Sequence, residues 1–354
     1  MTYISLNYYI MVVLILVAYY LLPLKHRWIA LLVGSVSFYY FFWQEGWLIF
    51  LITILTTYML GLGISKLQNG KRKLVTGLGI FIVASIWFCA KVSNFFLEDI
   101  FSTKPIKWIV PLGISFYTLQ LISYLVDIYR EEIEPERNIL KFALFVSYFP
   151  QLIQGPIPRF KQLQSQLIEG HKFDERRFLK GFCYVIWGFF LKMVIADKAG
   201  VLVDTVFDEY PIYSGIYIWI ASILYSLQLY TDFLACTTLA QGVSGMFGIE
   251  LLDNFARPYF ADSIKDFWRR WHISLSTWLK DYIYIPLGGN RHGKFRKYIN
   301  LIVTFTISGL WHGSGLKFVA WGLLHAMYQI LGEILMPARN RIAQFFGGGG
   351  MPVV

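Results

Sequence analysis

Charged side chains are scarce in this 354-residue chain. Asp, Glu, Lys and Arg together make up 15% of it, against roughly 25% in a soluble globular domain. Hydrophobic types fill 56% and aromatics 18%, which is too apolar for intrinsic disorder. Cysteine is scarcer still. Cys89, Cys183 and Cys236 are an odd set of three, each in apolar sequence and without CxxC spacing. That excludes a disulfide framework and a zinc–cysteine cluster, and leaves buried thiols. HExxH, Walker A, GxGxxG and GxSxG are all missing, so zincin, P-loop, dinucleotide-binding and α/β-hydrolase readings fall away. No metal site is expected. There is no internal repeat and no separate soluble domain. Acid is the rarer charge: 22 Asp and Glu face 32 Lys and Arg, giving +10. A soluble nucleic-acid binder would account for the charge but not for the apolar runs. A polytopic membrane protein accounts for both, because Lys and Arg collect in cytoplasmic loops. The expected partner is therefore a lipid bilayer and not a nucleic acid.

A spanning helix needs about 20 mostly apolar residues. Tyr3 to Leu22 is such a run; it lacks a basic leader and a small-residue cleavage site, and reads as an uncleaved first span. Trp28 to Gln44, Trp47 to Ile64, Leu74 to Ala90 and Trp108 to Val126 follow, the last with Pro111 and Gly113 near its start. Further on, Phe178 to Ala196 contains Lys180 and Lys192, and Tyr213 to Ala235 contains Asp232 near its end. Ile299 to Leu310 and Phe318 to Leu335 are the last apolar stretches. Seven firm spans are expected, with three or four shorter buried or re-entrant pieces. Ile139 to Ile157 is one of these, because Pro150, Gly155 and Pro156 interrupt it and broken backbone at membrane depth survives only under protein or in a wet cavity. The loops at 23–27 and 65–73 are basic and the turn at 45–46 is not, which puts the N-terminus outside. Residues 1–346 read as one integral-membrane domain. The run Gly347 to Gly350 and the residues after it read as a flexible end or a scar.

Ionisable groups in membrane-depth sequence are costly and functional by default. The densest cluster runs from Asp262 to Lys297, with eight basic residues against three acids. That surplus is half of the chain's net charge in a tenth of its length. Ile264, Trp268, Trp271, Leu275, Trp278, Leu279 and Tyr282 step by three and four and predict one continuous amphipathic helix. Lys265, Arg269, His272, Ser276 and Lys280 step along another face. Neighbouring cations then favour a neutral His272. By itself this helix reads as interfacial, with a tryptophan belt and a basic face on lipid headgroups. Downstream, Trp311-His312-Gly313 places a histidine against glycine where one apolar stretch gives way to the next. That suits either a general base in a cavity or a histidine packed at a helix break. His325 lies in an apolar helix and reads as a satisfied core histidine.

These residues resemble the membrane-bound O-acyltransferase family. The resemblance is carried by Asp266-Phe267-Trp268-Arg269-Arg270-Trp271-His272, by Ile285-Pro286-Leu287-Gly288-Gly289-Asn290-Arg291 and by Ser308-Gly309-Leu310-Trp311-His312-Gly313. Pro111 to Tyr117 and Tyr148 to Ile157 extend it over nearly the whole chain. The loop from Ile285 to Arg291 is similar to the bacterial branch typified by the alginate O-acetylation membrane subunit. The D-alanyl-transferring relative of teichoic acid synthesis matches that loop less well.

The resemblance implies an all-α polytopic transmembrane bundle, with short re-entrant and interfacial helices around a central tunnel, in a bacterial cytoplasmic membrane. It implies acyl transfer from a cytoplasmic thioester, acetyl-CoA in this branch, to a hydroxyl of an extracytoplasmic polysaccharide, often completed by a separate esterase-like (SGNH-type) transferase. The thioester is a substrate, and no bound cofactor is implied. The essential histidine maps to His312 and its second member to His272, which would orient the acceptor or stabilise the oxyanion. Lys265, Arg269 and Arg270 are the candidates for attracting the donor's phosphates. Asn290, Arg291, Trp311 and Asp232 are the candidates for lining the tunnel or meeting the acceptor. Two departures stand out. Asp232-Phe233-Leu234-Ala235-Cys236-Thr237-Thr238 lacks the second acid and several hydroxyls usual in the branch. Members of the branch also continue past Met336 to Arg341 with further spans, so a chain shortened at its C-terminus is expected. D-alanyl transfer from a carrier protein and a non-catalytic membrane scaffold stay open as alternatives.

Overall fold

The computed structural model describes residues 4–43 and 45–345, so the glycine run at 347–350 lies outside the described residues. Among the described residues the chain is built of helices, without a strand; one isolated bridge joins Phe255 to Trp271. The chain divides into two compact units. One holds Met1–Ala90 with Lys107–Asn254, and the other holds Lys91–Ile106 with Phe255–Val354.

The first unit begins with α1 (Leu6–Leu21), α2 (Arg27–Phe42), α3 (Trp47–Lys66) and α4 (Asn69–Lys91). Then come α5 (Ile114–Tyr129), α6 (Ile139–Ser147), α7 (Phe160–Glu169), α8 (Glu175–Phe189), α9 (Asp197–Asp208) and α10 (Gly215–Met246). The π-helical turn Phe190–Ala196 joins α8 to α9 without a break, so the expected Phe178–Ala196 span becomes the 34-residue stretch Glu175–Asp208. Among the described residues, five helical stretches are long and apolar enough to cross a membrane: α3, α4, Glu175–Asp208, α10 and, in the second unit, Leu316–Ile342.

Two differences from the expected spans have local causes. Helices α1 and α2 are each 16 residues long, below a full crossing. The expected span from Trp108 starts only at Ile114, after Pro111 and a Gly113 held at φ +71. Proline has no N–H for a helix, and glycine takes the left-handed conformation without a Cβ penalty. Helix α5 is then a core helix, with Tyr117, Leu121, Tyr124 and Leu125 fully buried. Around it pack Tyr8, Phe38, Phe142, Phe145 and Phe149 in a single aromatic core. The Phe149 N–H, in the proline-interrupted segment after α6, donates to Ser35 Oγ at 3.2 Å. Such backbone groups need partners wherever water is excluded. Helices α8 and α10 meet through small residues. A Cβ at Gly181 would stand 2.7 Å from Gly242 O, so both helices need glycine at the crossing.

In the second unit, the early segment folds back on itself: Asn94 Nδ2 donates to Ile106 O at 2.9 Å, and the Ile106 N–H donates to Asn94 Oδ1 at 3.0 Å. The rest comprises α11 (Ile264–Arg270), α12 (Ile273–Leu279), α13 (Gly293–His312) and α14 (Leu316–Phe345). Helices α13 and α14 form a hairpin whose backbones nearly touch. A Cβ at Gly309 would collide with the Phe318 carbonyl, and one at Gly322 with the Phe305 carbonyl.

Candidate active site

The single amphipathic helix expected from Ile264 to Tyr282 is two helices. Ser263 starts α11, its hydroxyl accepting from the Asp266 N–H at 3.1 Å. The helix stops because Trp271 is drawn into extended backbone by the bridge to Phe255, with the Ala256 N–H donating to Arg270 O at 3.0 Å. His272 then takes φ +43, a left-handed conformation uncommon for a residue with a Cβ, and the chain turns into α12. Strain of this kind persists where surrounding structure holds it and gathers at functional sites.

The break also decides where the side chains go. Trp268, Trp271, Leu275, Trp278 and Leu279 are buried in protein, which corrects the expectation of a tryptophan belt on lipid. His272 is 1% exposed, whereas Lys265 and Arg269 are exposed. Burial pushes the His272 imidazole well below the ordinary histidine range, and neighbouring His312 acts in the same direction. The neutral ring expected from neighbouring cations is therefore neutral for a different reason, desolvation.

Helix α13 brings His312 to this point at its C-terminal end. The rings of His272 and His312 are 6.3 Å apart between centroids. Trp311 lies against both, at 5.8 Å from His272 and 5.0 Å from His312. Trp311 is buried, and His312 keeps an exposed surface. One histidine is thus sealed in the protein, and its neighbour is open to a reactant.

A third histidine, read from the sequence as core packing, stands beside this pair. Trp321 of α14 packs edge-on to His312 at 5.1 Å and to His325 at 4.6 Å. Trp268 closes on His325 from α11 at 5.0 Å. His325 Nδ1 is buried without a hydrogen-bond partner, so this is not the satisfied core histidine expected. The available signal was the i, i+4 spacing of Trp321 and His325 on one helix face.

The remaining candidates are distributed unevenly. Arg270 Nε pairs with Asp266 Oδ2 at 2.8 Å, which occupies it, while Lys265 and Arg269 stay open. Asn290 and Arg291 are exposed in the glycine loop between α12 and α13. That loop is held by Asn300, a buried residue not singled out in the sequence, whose Nδ2 donates to Gly289 O at 2.8 Å. Asp232 belongs to the first unit, where it accepts from Lys192.

The family model for the membrane-bound O-acyltransferases matches residues 36–346. The chain belongs to that family. It is 38% identical over 324 residues to the protein of Pseudomonas putida named probable alginate O-acetylase AlgI, covering 88% of this chain and 66% of that one. It is 38% identical over 334 residues to the peptidoglycan O-acetyltransferase of Helicobacter pylori, covering 84% and 62%. The teichoic acid D-alanyltransferase of Bacillus subtilis is 28% identical over 262 residues, covering 70% and 65%. The chain thus spans a little under two thirds of the length of such relatives. Together with the apolar helices, the family makes this a multi-pass membrane protein.

Proposed function

We propose that this chain holds the acyl-transfer centre of an O-acyltransferase that moves an acetyl group from a cytoplasmic thioester, acetyl-CoA, to a hydroxyl of an extracytoplasmic polysaccharide or of a partner transferase. The observation that carries this reading is the pairing of an exposed His312 with a buried, neutral His272 at 6.3 Å. A thioester carbonyl is electrophilic, and what neutral solution lacks is a deprotonated hydroxyl. His312 takes the hydroxyl proton as the acceptor oxygen attacks the carbonyl carbon. The tetrahedral intermediate collapses, its C–S bond breaks, and the thiolate recovers the proton from His312. One O–H and one C–S bond are exchanged for one C–O and one S–H bond. General base catalysis of this kind is worth about 10² to 10⁴-fold. The neutral His272 ring carries one N–H, which supports the developing oxyanion. Lys265 and Arg269 attract the donor's phosphates. The N-terminus lies outside by the distribution of basic loops. One site buried in the membrane then meets a donor from within and an acceptor from without.

Acetyl transfer is favoured over D-alanyl transfer because the acetylating relatives are 38% identical and the D-alanylating one 28%. The test is turnover of labelled acetyl-CoA by the purified chain in nanodiscs with a soluble glycan acceptor. His312→Ala is expected to lower kcat about 10² to 10⁴-fold while the variant stays monodisperse. Retained acetyl transfer in His312→Ala would remove the base assignment, and use of only a carrier-bound D-alanyl donor would favour the alternative. A chain that turns over neither donor would be the scaffold.

A further inference from the structure

The first unit carries a charged triad inside its longest apolar helices. Lys192 Nζ donates to Asp232 Oδ1 at 2.6 Å and pairs with Asp197 Oδ1 at 2.7 Å. Lys192 is near the middle of the 34-residue stretch Glu175–Asp208, and Asp232 near the middle of the 32-residue α10. The π-helical turn makes the pairing possible. Its wider ring aligns residues five apart, so Asp197 stands over Lys192 and its N–H donates to Lys192 O.

One ammonium faces two carboxylates, so the triad keeps an uncompensated negative charge. The side chains of Asp197 and Asp232 are 45% and 40% exposed. One turn before Asp232, Gln228 Oε1 is a buried acceptor with no donor. Acceptors are therefore in excess on this side. The surface leading to them is mixed: Ser222, Tyr225, Leu229 and Asp232 follow one another at helical spacing along α10, and the first three are exposed, Tyr225 and Leu229 as apolar surface. Intramembrane carboxylates face protein or water, not lipid.

We propose that the α10 face running from Ser222 to Asp232 docks a membrane-spanning helix carrying a lysine or arginine at its middle. That cation completes the triad to two pairs. The apolar remainder of the partner covers Tyr225 and Leu229. The charge decides the choice of occupant: an apolar helix leaves the carboxylate uncompensated, and an acidic one doubles the problem.

The experiment uses the full chain in nanodiscs, donor-labelled, with acceptor-labelled polyleucine helices that differ only in a central Lys, Leu or Glu. Energy transfer should show the Lys helix associating about tenfold more tightly than the Leu helix, the size of a typical intramembrane polar contact, and the Glu helix not at all. Asp232→Asn and Asp197→Asn should each abolish the preference. Ser222→Leu should weaken binding of every helix, and it keeps the test alive if an Asp variant fails to fold. Equal binding of Lys and Leu helices overturns the proposal. So does energy transfer between two differently labelled copies of the chain that Asp232→Asn removes, because the occupant would then be a second copy.

Discussion

Replacing Gly322 by alanine tests whether the contact between α13 and α14 sets the geometry around His312. A Cβ there would meet the Phe305 carbonyl carbon at 2.9 Å and Thr306 Cα at 3.2 Å, and would overlap the Phe305 oxygen. All three are backbone atoms, so no side chain can rotate away and the two helices must part. Overpacking of this kind costs about 1–3 kcal/mol, against a gain of about 0.5–1 kcal/mol from removing a helical glycine. The catalytic consequence is the sharper one. Trp321 precedes Gly322 and packs on His312 at 5.1 Å, so parting the helices shifts the ring proposed as the base. A displacement of about 1 Å is able to cost 10²-fold in rate. Gly332, ten residues further along α14, is the control, because an added Cβ there meets nothing within 4 Å. The assay pairs thermal unfolding in detergent with acetyl-transfer kinetics for both variants. Gly322→Ala should melt lower and lose kcat, while Gly332→Ala should melt at or above the parent and keep it. If Gly322→Ala matches Gly332→Ala in both, close backbone approach is not what holds His312 in place.

Other outcomes follow from the same site. The folded state holds the His272 proton less tightly than the unfolded chain does, so below about pH 6.5 the unfolded chain binds an extra proton and stability falls with pH. His272→Asn, whose side chain tolerates the left-handed backbone, should flatten that slope in melts from pH 7.5 to 5; an unchanged slope refutes a buried neutral imidazole. Lys265→Ala with Arg269→Ala should raise KM for acetyl-CoA, with kcat spared and the difference shrinking at high salt. A KM that does not move rules out their part in donor capture. Asn300→Ala frees the Gly289 carbonyl and should cost about 1–3 kcal/mol in unfolding, together with faster proteolysis of the 285–292 loop. Unaltered cleavage would mean the loop is held by something else.

The membrane character and the two histidine segments were legible in the sequence because each is written in contiguous residues. Apolar runs declare helices α3 and α4, and Trp311-His312-Gly313 marks the end of α13 by its glycine. The division of α11 from α12 was not legible. The apolar spacing from Trp268 to Tyr282 continues across the break, and no proline or glycine marks it. What ends α11 is the pairing of Trp271 with Phe255, a contact that local periodicity does not contain. The same holds for His325, whose meaning comes from Trp268 and Trp321 closing around it. The start of α5 is the opposite case: Pro111 and Gly113 mark it locally, inside an apolar run that reaches back to Trp108.

The make-up of the second unit has a consequence for how the protein is born. Lys91–Ile106 belongs with residues that begin only at Phe255. At translation rates of roughly 5–20 residues per second, the intervening stretch of about 150 residues separates the two by about 8–30 s. For that interval the early piece has none of its later companions, and its own internal bonds hold it: the pair between Asn94 and Ile106 and those from Thr103 to Leu97 O. The half that holds His272 and His312 is thus assembled from two pieces made far apart in time, and a ribosome that stalls before Phe255 leaves a membrane-inserted chain whose Lys91–Ile106 segment lacks the rest of its unit.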